Sequence, residues 1–210
     1  YQTPVTVNFR CTAQESVNGM EIVNTAQTYA DNAQKVKDSS KIWVNSPVLN
    51  VEKTMDKPFY KYGDIITYRI VLTQEQTGCV ARNVTLQDVI DTQGVRLLKD
   101  SVILMDEKGN VADADVQIND DNTFLMSTGR TLVRDSRYSI CDNDKGGLFE
   151  QVMYNPLDCQ EQKSMIVEYQ AAVIDAALAG QKVHNTAVAD SSEKIPATGE
   201  AETEVHSPIL

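Results

Sequence analysis

Residues 182–189, with the sequence Lys-Val-His-Asn-Thr-Ala-Val-Ala, alternate in the way that a β-strand with one buried face does. Successive side chains of a strand point to opposite faces, so Val183, Asn185 and Ala187 share a face. The small apolar residues predict that this face lies in the protein core. Asn185 then lies in the core as well, where an amide without hydrogen bonds would be strongly destabilising.

Two further predicted strands carry a polar residue on an otherwise apolar face. In residues 49–55 this residue is Lys53, and in residues 84–90 it is Asp88. A charge that is buried without a partner is more costly than a buried amide. We therefore expect Lys53, Asp88 and Asn185 to meet in one core.

The chain also contains an internal repeat. Residues 19–26 match residues 180–187, and the correspondence continues without a gap until Ser46-Pro47 matches Ser207-Pro208. The offset is 161 residues throughout (185 − 24), so that Asn24 corresponds to Asn185. A fixed offset is typical of repeat arrays. We interpret residues 1–48 as the closing strands of a preceding repeat and residues 49–210 as one complete repeat.

Short alternating runs separated by turn residues continue along the whole chain. They predict an all-β sandwich, because no long run has the 3.6-residue period of a helix. Residues 30–40 are polar and are predicted to be a loop. Strands are expected at residues 3–13, 20–28, 41–44, 49–55, 65–73, 84–90, 111–118, 124–133, 137–140, 164–173, 182–189 and 200–206. Two further short strands are expected within residues 95–105, split at Lys99-Asp100.

Composition excludes several classes of function. The chain has 19 Lys and Arg against 30 Asp and Glu, a net charge of −11, which disfavours nucleic acids and anionic membranes as partners. No run approaches the roughly 18 apolar residues of a membrane span. With two histidines, no catalytic triad and no metal site can be assembled, so we expect no cofactor, no bound metal and no enzyme that turns over a substrate.

Two of the four cysteines enclose a turn-rich segment. Cys141 and Cys159 flank residues 142–158, which are rich in Asp, Asn, Gly and Pro. We expect a disulfide between them, which would indicate an oxidising, extracellular compartment. Cys11 and Cys79 have no evident partner and are expected to be buried thiols.

Four segments together resemble a known family, the DUF11-type immunoglobulin-like repeats of bacterial surface proteins. Relatives of this family in Gram-positive pilins and adhesins form intramolecular isopeptide bonds. The resemblance implies an immunoglobulin-like sandwich in which Lys53 and Asn185 are joined, with Asp88 as the acid between them. It is interrupted at residues 111–163, an apparent insertion. The segments, in family order, are residues 49–57 (Leu-Asn-Val-Glu-Lys-Thr-Met-Asp-Lys), 62–68 (Tyr-Gly-Asp-Ile-Ile-Thr-Tyr), 81–88 (Ala-Arg-Asn-Val-Thr-Leu-Gln-Asp) and 185–187 (Asn-Thr-Ala).

Burial alone predicts the same chemistry. Desolvation lowers the pKa of a lysine and raises that of an aspartate, so the proton can rest on Asp88 and leave Lys53 a neutral nucleophile. Protonated Asp88 would donate a hydrogen bond to the Asn185 carbonyl oxygen, and ammonia would leave. The alternative is an ordinary buried Lys53–Asp88 ion pair with Asn185 hydrogen-bonded nearby. By the repeat, Asn24 is expected to accept a lysine from outside residues 49–210.

These patterns favour a structural repeat of an extracellular surface or fibre protein, stiffened by a self-formed Lys–Asn bond. Its partners would be neighbouring repeats or subunits, assembled by strand complementation. The alternative is an adhesin module whose insertion at 111–163 binds a host or cell-surface ligand.

Overall fold

The computed structural model describes residues 5–14, 20–76, 79–134 and 161–207. The described residues belong to two compact units, one ending at Ser46 and the other beginning at Pro47. The boundary predicted from the sequence lies two residues later, between residues 48 and 49, and the interpretation of the two parts as repeats stays a prediction. Strands are numbered below in chain order.

The first unit contains an antiparallel hairpin of β1 (Met20–Ala30) and β2 (Ala33–Val44). Strand β1 agrees with the sequence prediction. The predicted loop at residues 30–40 was wrong, because most of it belongs to β2. Residues 5–13 were predicted to be extended as a strand, but residues 5–14 form no regular element. Cys11 is exposed, which corrects the expectation that it is buried.

The second unit contains two large sheets. The first sheet has the order β10 (Val111–Ala112), β9 (Ile103–Met105), β15 (Ser164–Val173), β5 (Ile65–Gln74), β3 (Leu49–Met55), and β8 (Val95–Leu97) also pairs with β15. The second sheet has the order β11 (Asp115–Ile118), β12 (Thr123–Ser127), β7 (Thr85–Ile90), β16 (Lys182–Asp190), β17 (Ala197–Val205), β4 (Phe59–Tyr60).

A small third sheet has the order β14 (Glu161–Gln162), β13 (Thr131–Val133), β6 (Val80–Ala81). Strand pairs β4–β17 and β13–β14 are parallel, and the other pairs are antiparallel. Single 3-10 turns at Lys99–Ser101 and Ala176–Leu178 are the helical elements among the described residues. The unit is an immunoglobulin-like β-sandwich, as the sequence predicted.

The core lies between the two large sheets and follows the two-residue period of the strands. On β5 the alternating residues Ile66, Tyr68, Ile70 and Leu72 are all fully buried. The edge strand β3 packs closely against β17: a Cβ atom at Gly199 would lie 2.5 Å from the Val51 carbonyl oxygen. Glycine at this position therefore allows the two sheets to approach at one edge.

Candidate functional site

The three polar residues singled out in the sequence lie on both sheets of the sandwich. Lys53 is on β3 opposite Ile70 of β5, in the first sheet. Asp88 is on β7 and Asn185 on the adjacent β16, in the second sheet. All three residues are buried, and the side chains of Lys53 and Asp88 are completely inaccessible. A lysine long enough to cross the core thus meets two short side chains from the facing sheet.

The structure brings these residues into one hydrogen-bonded cluster. The Lys53 ammonium contacts Asp88 Oδ2 as a buried ion pair. The second carboxylate oxygen, Oδ1, accepts a hydrogen bond from the Tyr169 hydroxyl at 2.7 Å. That hydroxyl in turn accepts a hydrogen bond from Asn185 Nδ2 at 2.5 Å. Asp88 is therefore linked to Lys53 directly and to Asn185 through Tyr169.

Tyr169 was missed by the sequence analysis. It lies on the central strand β15, directly opposite Tyr68 of β5, and it is buried like the rest of its face. The rings of Tyr68 and Tyr169 stack with their centroids 5.1 Å apart, and Phe124 meets Tyr169 edge-on at the same distance. In the sequence, an inward tyrosine between Val167 and Ala171 looks like an ordinary core residue. The one available signal was the need of its hydroxyl for a buried partner.

The aromatic rings also surround the lysine. Lys53 Nζ lies 5.4 Å from the centroid of the Tyr68 ring and 5.7 Å from that of Tyr169. Ring faces attract a cation at such distances. The ammonium is therefore held between two rings and one carboxylate, with no water-exposed side of its own.

Burial shifts the pKa values of the cluster in opposite directions. Desolvation lowers the pKa of Lys53 from 10.5 to about 8, although the Asp88 charge opposes the shift. Desolvation also raises the pKa of Asp88, against the opposing effects of Lys53, Tyr169 and Asn185. The two shifts bring the pKa values toward each other, so that moving the proton from Lys53 to Asp88 becomes far less costly than in water.

Two polar atoms of the cluster lack a hydrogen-bond partner among the described residues. They are the carbonyl oxygen of Asn185, Oδ1, and the hydroxyl of Tyr68. Burial raises the pKa of that hydroxyl, and the neighbouring Asn185 side chain partly offsets the rise. The sequence analysis expected Asp88 to bond to Asn185 Oδ1, but in this arrangement Tyr169 lies between the two groups. The carbonyl of Asn185 is thus buried and unbonded.

The remaining predicted site residues are not part of this cluster. Asn24 lies on β1 in the first unit and is exposed. Cys141 and Cys159 lie outside the described residues, so their disulfide stays a prediction. The insertion at 111–163 is described at residues 111–134 and 161–163, where it forms β10 to β14.

The described residues contain neither a metal-binding cluster nor a membrane-spanning helix. Among these residues, no group of three His, Cys, Asp or Glu side chains could hold a metal ion. In the same part of the chain, no helix is long and apolar enough to cross a membrane.

Comparison with known proteins gives matches at the level of solved structures. No protein-family model matches the chain, and no curated protein matches it. The resemblance to the DUF11-type repeats therefore stays a prediction.

Among solved structures, the chain is similar to BcpA, the major pilin subunit of Bacillus cereus, with 11% identity and a TM-score of 0.48. That match covers 87% of this chain and 47% of BcpA, so the chain spans about half the length of the pilin. It is also similar to the collagen-binding domain of a Staphylococcus aureus adhesin, with 12% identity, a TM-score of 0.42, and coverage of 75% and 97%.

A third similar structure is the full-length major pilin SpaD of Corynebacterium diphtheriae, with 13% identity and a TM-score of 0.46. The match covers 74% of this chain and 34% of SpaD.

Proposed function

We propose that the second unit is a structural module of an extracellular surface protein or fibre, stiffened by an isopeptide bond between Lys53 and Asn185. The observation that supports this proposal is the cluster itself: a lysine, an acid and an asparagine share one buried site that spans both sheets. A stable ion pair would not need an asparagine in the same buried cluster.

The reaction requires proton transfers along the contacts just described. Lys53 gives its proton to Asp88, which its burial favours, and becomes a neutral amine. Its nitrogen attacks Cγ of Asn185, forming the new C–N bond while the Cγ–Nδ2 bond breaks. Asp88 passes a proton through the Tyr169 hydroxyl to Nδ2 and receives one from the attacking nitrogen. One ammonia leaves, and Asp88, which begins as a carboxylate, ends protonated with the proton that Lys53 gave up.

Formation of the product removes the two buried charges of the cluster, those of Lys53 and Asp88. A buried ammonium is replaced by a neutral secondary amide, and the charge of Asp88 is no longer needed to balance it. The leaving ammonia makes the step irreversible once it escapes to solvent. The bond would close a loop of 132 residues (185 − 53), which in the chain-entropy description stabilises a domain by about 4 to 5 kcal/mol.

A structural role fits this site better than turnover of a substrate. Lys53, Asp88 and Asn185 are consumed or enclosed by the reaction, and all are buried between two sheets. A permanent bond between the first strand of the unit and its penultimate strand would resist unfolding where chaperones are absent. That is the requirement of a cell-surface fibre or adhesin stalk, whose partners would be neighbouring repeats or subunits.

Intact mass of the denatured, reduced protein tests the proposal. The expected mass is lower than calculated by one ammonia, and tryptic digestion should give a branched peptide joining Lys53 to Asn185. Asp88→Ala should restore the full mass because the proton acceptor is lost, and Asp88→Asn gives the same readout with less change in volume.

Two lysine variants provide the matched control. Lys53→Arg keeps the positive charge but should restore the full mass, whereas Lys57→Arg, just beyond the end of β3, should leave the deficit unchanged. A wild-type chain of full calculated mass would mean that Lys53 and Asp88 form a simple ion pair.

A further inference from the structure

The hairpin β1–β2 of the first unit repeats the hairpin β16–β17 in pairing register as well as in sequence. Asn24 is paired with Ser40, and Asn185 is paired with Ala201. Every pair of residues from 21–43 to 28–36 has its counterpart 161 positions later. The two hairpins are therefore structural copies over the length of the shorter one.

An ion pair is repeated at the same place with its charges exchanged. In the first unit Lys41 Nζ lies 2.6 Å from Glu21 Oε1. At the corresponding positions of the second unit, Lys182 forms an ion pair with Glu202. The acid and the base have changed strands while the pair has been kept. The shared position of the pair supports the equivalence of the two hairpins.

The two hairpins differ in what covers them. Strand β16 pairs with β7, β17 pairs with β4, and β3 packs over both, so that Asn185 and its face are buried. In the described part of the chain, β1 and β2 pair with each other alone. Asn24 and Ala26 are exposed, and Ile42 is 58% exposed. A face that is core in one copy is therefore bare in the other.

We propose that β1–β2 is the closing hairpin of a second sandwich, whose facing strands come from another copy of this repeat. Strands equivalent to β3, β4 and β7 would cover the hairpin as they cover β16–β17. Unpaired strand edges are what strand addition requires. A copy that has lost or displaced its own closing hairpin is the partner of matching shape.

In that setting Asn24 is the acceptor for the lysine equivalent to Lys53. The proposed crosslink at Asn24 rests on the Lys53–Asn185 bond proposed above. The reaction is the same: a lysine nitrogen replaces Nδ2 of Asn24, and ammonia leaves. The link between two copies would then be a covalent one. One local difference from the second unit is expected. Asp38 occupies the position of Gly199, the glycine that allows β3 to approach β17, so the covering strand must lie farther from Asp38 than β3 lies from Gly199.

A strand transplant within the full 210-residue chain tests the proposal. Residues 182–188 are replaced by residues 21–27, and residues 197–205 by residues 36–44, with Gly199 retained to avoid the clash with Val51. The loop at 190–196, which contacts Arg82, is left unchanged. The transplanted Asn24 then occupies the place of Asn185 beside Lys53 and Asp88. The matched control has the transplanted Asn24 changed to Ala.

The transplanted chain should melt in a single cooperative transition and have a mass one ammonia below that calculated, with the control at full mass. A cooperative melt at full mass, while the wild type shows the deficit, would overturn Asn24 as an acceptor. Loss of the cooperative transition would overturn the hairpin equivalence itself. If the wild type has its full mass, the function proposed above fails, and the melt of the transplant still decides the hairpin proposal.

Discussion

At the scale of single residues, the two-residue period was enough to find Lys53, Asp88 and Asn185, because each breaks an apolar pattern. The period could not find Tyr169, since a tyrosine on a buried face breaks no pattern. The period also could not predict that Asp88 contacts Lys53 directly and Asn185 through Tyr169. These contacts depend on which strands are neighbours, and the register of β15 against β5 is a property of the whole sheet.

Tyr169→Phe should slow the loss of ammonia, because the hydroxyl that joins Asp88 to the leaving nitrogen is removed while the ring is kept. Tyr60→Phe is the matched control: it removes a buried tyrosine hydroxyl that lies outside the cluster and donates a hydrogen bond to Asp56. The measurement is intact mass against time for chains refolded from inclusion bodies. Equal rates for the two variants would show that Tyr169 acts through packing alone.

The rate of bond formation should have a bell-shaped dependence on pH. The reactive form, with neutral Lys53 and protonated Asp88, and the ion pair differ only in which of the two groups carries the shared proton. The fraction of protein in the reactive form is therefore independent of pH as long as the pair keeps this one proton. Above the Lys53 pKa of about 8 the shared proton is lost and the rate falls. In acid the pair gains a second proton, Lys53 is charged, and the rate falls again.

The same refolding assay, run over a series of buffers, checks this prediction. A rate that continued to rise well above pH 8 would mean that simple deprotonation of the lysine limits the reaction, without a proton held on Asp88.

At the scale of strands, the sequence predicted β1 and the long strands of the second unit, but it did not predict β2 over its full length. Strand β3 was predicted to within a residue because one of its faces is buried and the other exposed. Residues 30–40 were predicted to be a loop because both faces of β2 are exposed there, so the alternation that marks a strand is missing. The short strands β4, β6 and β14, with two residues each, are too brief to show any period.

Gly199→Ala should destabilise the second unit by about 1 to 3 kcal/mol, the usual cost of an extra methyl in a filled space. The added Cβ would lie 2.6 Å from Val51 Cγ1 as well as close to the backbone, so β3 and β17 would have to separate. Urea unfolding followed by circular dichroism measures the change. Glu200→Ala, on the exposed face of the same strand, should have almost no effect, and a similar loss in both variants would refute the packing argument.

At the scale of the whole module, the proposed bond would connect the two sheets through the core. Strand β3 begins the unit and β16 is its penultimate strand, so tension entering at one and leaving at the other would pass through the bond. The residues between 53 and 185 would then carry no load.

Single-molecule stretching between the two ends of the chain should show directly whether the residues between 53 and 185 are shielded from the applied force. Asp88→Ala should extend farther than the wild type by roughly 450 Å, because 132 further residues become free to extend at about 3.4 Å each (185 − 53 = 132). Lys57→Arg should behave as the wild type does. Equal extension of the wild type and Asp88→Ala would exclude a load-bearing crosslink.

The exchanged ion pair disfavours mispairing between the strands of the two hairpins during folding. Two hairpins of identical register in one polypeptide could exchange strands, with β1 pairing to β17 or β16 to β2. The first exchange would bring Glu21 beside Glu202, and the second would bring Lys182 beside Lys41, where the native hairpins have opposite charges. Repulsion between like charges disfavours both exchanges. The signs of this surface ion pair therefore favour the pairing of each strand with the other strand of its own hairpin.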